Sequence, residues 1–270
     1  MSQFSLRFDR ESFEALDQIA LLARQDYNLG GVGDWFGEFR GGLYGFYARL
    51  YGVQVHYEDV HAWQPKVRIP ADTEYHLASI LFQMDSAIEC FTFALNAFGW
   101  AVTPSGFRDV TEAKALRSIS PIDILGDPTR APARQPQPGY VKVFPRCQSL
   151  WQGQAPVIVQ IRDLHDVSKH RQTIFVGGKA RSDPPDGFYE ALGIPDDARR
   201  RAPLWPMAEI ILKHDPKVPA IERTSRRVEP GELLEELVPS FVSLVDASGK
   251  AAFEDATANV PLNERQFRSG

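Results

Sequence analysis

The densest group of chemistry-bearing side chains lies in the run Arg162-Asp-Leu-His-Asp-Val-Ser-Lys-His-Arg171. On a helix, Arg162 with Asp166 and Asp166 with His170 stand at four-residue spacing, where side chains on successive turns meet. Arg162, Asp166, Lys169 and His170 share a polar side, and His165 falls nearer the apolar side. An Asp beside a His can hold the ring's tautomer and raise its basicity, which a general base requires. The same run also fits a solvated helix C-terminus, where cations suit the macrodipole and ion pairs contribute little. Taken alone, His165 reads as a hydrogen-bonded core histidine. A second polar strip, Asp85, Glu89, Thr92 and Asn96, flanks the apolar stripe of another segment. If the two segments pack antiparallel, that strip faces Arg162, Lys169 and His170 across a shared groove. Arg162, His165 and His170 are then the catalytic candidates, and Asp85, Glu89, Asn96, Asp166 and Lys169 the binding candidates.

No other constellation completes a motif. His56 and His61 bracket Glu58 and Asp59, and two imidazoles with a carboxylate are ligands a divalent ion accepts. Their spacing matches no standard site and no cysteine is near, so no metal site is assigned. Gly30-Gly-Val-Gly33 and Gly177-Gly-Lys179 lack the strand–loop–helix context of a phosphate cradle and read as turns. No Gly-x-Ser-x-Gly elbow occurs, so a serine hydrolase has no anchor. Arg199-Arg-Arg201 and Arg226-Arg227 are short basic clusters of the kind usually found on solvated loops. No cofactor is implied.

The elements that would position these residues follow from periodicity. Residues 9–27 read as an amphipathic helix capped by Asp9 or Ser12, with Phe13, Leu16, Ile19, Ala20 and Ala23 on one face. The stretch from Trp35 to Tyr57 is rich in aromatics, but Gly37, Gly41, Gly42 and Gly45 lower its helix propensity, so a helix is expected over its second half. The clearest helix spans Thr73 to Phe98, with Leu77, Ile80, Leu81, Met84, Ile88, Phe91, Leu95 and Phe98 in one stripe and Gly99 as its stop. Residues 126–139 read as a proline-punctuated loop, and 156–170 as a second strong helix begun by Pro156.

Beyond that helix the pattern turns toward β structure. Residues 173–176, 207–213 and 218–223 read as strands. A short helix is expected from Pro230 to Leu237, followed by a hairpin of 241–245 and 251–254 around Asp246-Ala-Ser-Gly249. Leu233, Leu237, Phe241 and Val245 also fit helical spacing. The expected fold class is therefore α+β: a helical domain over 1–172 and a mixed α/β region over 173–270.

Bulk composition narrows the function. With 43% hydrophobic and 24% charged residues the chain has enough apolar material to fold rather than stay disordered. A formal charge of −5 gives no general attraction to a polyanion. Cys90 and Cys147 could make one bridge, yet Cys90 lies in an apolar helical pattern, and reduced thiols are expected. No leader is evident, and Asp85, Glu89 and Asn96 interrupt the longest apolar stretch, so a cytoplasmic chain without a membrane segment is the expectation.

Asp85-Ser-Ala-Ile88, Leu116-Arg-Ser-Ile-Ser-Pro121 and Leu164-His-Asp-Val-Ser-Lys-His-Arg171 together resemble a widespread group of uncharacterised bacterial and phage proteins. That group has a helix ending in Asp-Lys-His-Arg, and here Ser168 replaces the Asp. The helical arrangement is also similar to HEPN domains, helical bundles many of which are RNA-cleaving toxins of bacterial defence. Their motif separates an Arg from a His by four to six intervening residues. Two residues separate Arg162 from His165 and seven separate it from His170, so the resemblance implies the bundle more than the chemistry.

Two readings follow. One is a non-enzymatic interaction protein of bacterial defence or mobile elements, with an exposed aromatic patch from the Trp35–Tyr51 stretch and a homodimer or protein partner. The other is a HEPN-like ribonuclease acting on RNA through Arg162, His165 or His170, with a histidine as general base and an Arg or Lys stabilising developing charge.

Overall fold

The computed structural model describes residues 6–25, 34–62, 70–127, 134–170 and 230–262. Among them are nine α-helices and one 3-10 turn. These are α1 (Glu11–Gln25), α2 (Trp35–Ala62), α3 (Pro70–Val102), the turn Pro104–Gly106, α4 (Ala113–Leu116) and α5 (Ile122–Leu125). They continue with α6 (Pro138–Val143), α7 (Pro145–Gly153), α8 (Ala155–His170) and α9 (Pro230–Asn259).

The long antiparallel hairpin of α2 and α3 is the scaffold. Its helices approach closely because small residues line the seam. A Cβ on Gly42 would lie 2.8 Å from the Ala94 nitrogen and 2.9 Å from the Cys90 carbonyl oxygen. Gly42 therefore serves backbone contact, and α2 is helical from Trp35 onward rather than only in its second half. Asp34 helps start it by accepting a hydrogen bond from the Gly37 N–H at 3.2 Å. Gly99 likewise does not stop α3, which continues to Val102. The Phe107 ring lies where a side chain at Gly99 would be, 2.1 Å from the position of a Cβ.

The hairpin's inner face is a continuous aromatic core. Trp35 stacks on Phe98 at 5.6 Å, and Phe13 from α1 meets Phe46 and Phe91 at 4.8 and 5.4 Å. The loop after α3 is pinned by a wholly buried carboxylate. Asp123 takes hydrogen bonds from Arg108, Arg134, Gln137 and the Ser120 N–H, so this buried charge is fully paired.

The α+β expectation is overturned. Residues 230–259 form one helix, α9, and among the described residues the only β-type pairing is the isolated bridge Asp127–Arg134. The proposed strands at 173–176, 207–213 and 218–223 lie outside the described residues. The expected hairpin of 241–245 and 251–254 is helical because its turn-like residues all serve packing. Gly249 lets the Phe13 ring approach, where a Cβ would be 2.7 Å away. The Ser248 hydroxyl donates to the Leu244 carbonyl and accepts from the Trp151 indole N–H at 2.9 Å. Asp246 accepts the Asp9 N–H at 3.0 Å, just before α1. Leu234, Leu237, Val238, Phe241, Leu244 and Val245 are buried at helical spacing. This helix packs against α1 and α7 and shares the same apolar core as the hairpin.

Candidate functional site

Helices α3 and α8 pack together and bring one pair of the expected site residues into contact. The His165 Nδ1 lies 2.7 Å from an Asp85 carboxylate oxygen, and both residues are buried. Ile158, Ile161 and Leu164 turn inward on the same side of α8, so the apolar stripe carries His165 into the interface. The Phe82 ring stands edge-on to the imidazole at 5.5 Å. Arg49 from α2 lies over the Phe82 ring, 5.2 Å from its centre. It also donates to the Gln83 side chain at 3.3 Å.

Glu89 sits one turn further along α3 and reaches solvent. Partial desolvation and the neighbouring Asp85 push its carboxyl above the ordinary range, while the charges of Arg162, His165 and Lys169 oppose the rise. Arg162, Asp166 and Lys169 are exposed on the outer side of α8. His170 ends that helix, and its side chain lies outside the described residues.

Asn96 is not part of this group. It is fully buried, and its side-chain amide donates to the Arg108 carbonyl at 2.9 Å and accepts the Arg108 N–H at 3.0 Å. It anchors the loop after α3, eleven residues and roughly 16 Å of helix beyond Asp85. Thr92 is also internal, its hydroxyl bonded to the Ile88 carbonyl at 2.8 Å.

What the arrangement can do chemically follows from access and charge. The Nδ1 of the His165 imidazole is committed to Asp85, and the residue is only 7% exposed. Among the described residues the charges around His165 alternate, with Asp85 and Glu89 standing among Arg162 and Lys169. The dyad joins α3 to α8.

A different surface stands open. Tyr44, Ala48, Tyr51 and Val55 recur on the side of α2 opposite its buried Leu43, Phe46, Leu50 and Val53. On α3, Tyr75, Ser79, Phe82 and Ser86 occupy the matching side, opposite Leu77, Ile80, Met84 and Ile88. Tyr44, Tyr51, Tyr75 and Phe82 are 52%, 62%, 62% and 39% exposed, which makes this outer face aromatic and open to solvent. Arg40, held by Asp17 through two hydrogen bonds, lies over the Tyr44 ring at 5.1 Å. Of the stretch expected to supply such a patch, Trp35, Phe36, Phe39 and Phe46 are buried, and only Tyr44 and Tyr51 contribute. Phe82 and Tyr75 were missed, because an apolar stripe does not show on which side its flanking aromatics fall. By length and composition α3 over Tyr75–Val102 could cross a membrane, and half of its apolar window is buried within the fold.

In comparisons with known proteins the chain matched no family model, no curated protein and no solved structure.

Proposed function

We propose that this chain is a non-enzymatic interaction protein whose working surface is the outer face of α2 and α3, and that this face pairs with a second copy of the chain. The observation that carries the reading is the exposure of Tyr44, Tyr51, Tyr75 and Phe82 along one side of the hairpin. Contiguous exposed apolar surface is uncommon on monomers and marks interaction sites. Tyrosine, phenylalanine and arginine are the residues enriched at such interfaces, and Arg40 and Arg49 already lie over two of these rings. Two antiparallel helices present the same patch to a two-fold mate, so an isologous dimer requires no second surface.

A photoreactive benzophenone side chain at position 51 tests the pairing in purified full-length protein. Illumination is expected to give a covalent species of twice the 30.3 kDa chain mass, lost when Phe82→Glu is added. The same probe at the exposed Glu112, on the loop before α4, is expected to give none. Absence of the crosslinked species at position 51, or equal yield at position 112, would overturn the reading.

A further inference from the structure

We propose that His56, Asp59 and His76 form a binding site for a divalent transition-metal ion, with zinc the best match to the ligand set. His56 and Asp59 stand three residues apart on α2 and so share a face. His76 reaches them from α3, near the end of the hairpin where α2 finishes and α3 begins. The two Nδ1 atoms are 3.2 Å apart. Two nitrogens each bound about 2.05 Å from one tetrahedral ion lie about 3.3 Å apart, so the rings already have the separation a shared ion imposes. The available ligand atoms of all three residues lie within 4.8 Å of one another. A small rotation of the Asp59 side chain would complete the third bond.

Donor chemistry selects the ion. Two imidazoles with one carboxylate suit zinc and its transition-metal neighbours, whereas calcium and magnesium take oxygen ligands. Three protein ligands leave a fourth position for water, the open type of zinc site. Both rings are partly buried and so reachable from solvent. Tyr75 stands edge-on to both, 5.8 Å from His56 and 5.3 Å from His76, which limits their rotation. A bare hydrogen bond between the two imidazoles would give the same separation, and metal affinity distinguishes the two.

The test uses full-length protein without a histidine tag, stripped with chelator and titrated with zinc chloride by calorimetry. Cobalt(II) followed by visible absorption reports the coordination. One ion per chain is expected, with the intense cobalt bands of a four-coordinate site. His56→Gln and His76→Gln should each lower affinity by more than the roughly 10–100-fold that losing an outer-shell partner costs. Asp59→Asn, a change compatible with the helix, should lower it at least about tenfold, and decides the matter should either histidine variant lose its helical circular dichroism. No binding by the wild-type chain, or affinity unchanged in Asp59→Asn and the folded histidine variants, would overturn the site.

Discussion

Breaking the Asp85–His165 contact has an asymmetric cost that follows from its geometry. The pair lies in the α3–α8 interface with a 2.7 Å separation and little solvent access. In Asp85→Ala the imidazole loses its partner, and a buried unsatisfied polar group costs about 1–3 kcal/mol. In His165→Ala the Asp85 carboxyl group keeps its buried position without the imidazole. Breaking a buried pair in that direction costs about 3–5 kcal/mol. The double variant removes both needs at once, so its loss should fall short of the sum of the single losses by about 0.5–3 kcal/mol. Urea unfolding followed by far-ultraviolet circular dichroism measures all three. Single losses below about 0.5 kcal/mol, the range of ordinary surface changes, would refute a structural role for the dyad. Additivity within about 0.3–0.5 kcal/mol would refute the direct coupling.

Neighbouring glycines in α2 should respond with opposite sign. Gly41→Ala meets nothing within 4 Å and should raise stability by up to about 1 kcal/mol through helix propensity, as read from the same urea curves. Gly42→Ala presses on the backbone of α3, and its overpacking cost of about 1–3 kcal/mol outweighs that gain; equal effects at the two positions would contradict the close seam. Burial, then the charges of Glu14 and Asp17, push the Tyr47 phenol up to about 12 from 10.0. The unfolded chain therefore releases this proton first, and stability present below pH 10 is lost as pH rises toward about 12. Urea midpoints of Tyr47→Phe should fall less steeply across that window, and identical slopes would refute the assignment. Burial also pushes both the Cys147 and Cys90 thiols up, Cys147 the further. A thiol reagent should react slowly with native protein and fully in denaturant, whereas native labelling of Cys147 at the unfolded rate would contradict its burial.

Sequence reasoning worked where a single periodic stripe decides the outcome. Phe13, Leu16 and Ile19 in α1, the Leu77–Phe98 stripe in α3 and Ile158, Ile161 and Leu164 in α8 all point inward as their spacing requires. It went astray at small residues. Gly42, Gly99 and Gly249 look like helix breakers in a linear chain, yet each admits a neighbouring element, and helix-breaking and close approach leave the same signature. In α9 the Asp246–Gly249 run has turn composition, and only the presence of Phe13, Trp151 and Asp9 around it explains its helical state.

For the site, Asp85 and His165 were visible as separate residues, one on a polar strip and one near an apolar face. Their contact across 80 positions was not. Asn96 belonged to the same strip by angle alone and serves a loop instead. His76 went unseen beside His56 because the two meet across the hairpin, twenty residues apart in sequence.

Sedimentation equilibrium over a range of concentrations gives the mass of the full-length chain in solution. Pairing through the outer face predicts a wild-type species at twice 30.3 kDa and a 30.3 kDa species for the Tyr51→Glu, Phe82→Glu variant with its helical signal intact. A wild-type chain that stays at 30.3 kDa throughout, or a variant that keeps the doubled mass, would contradict it.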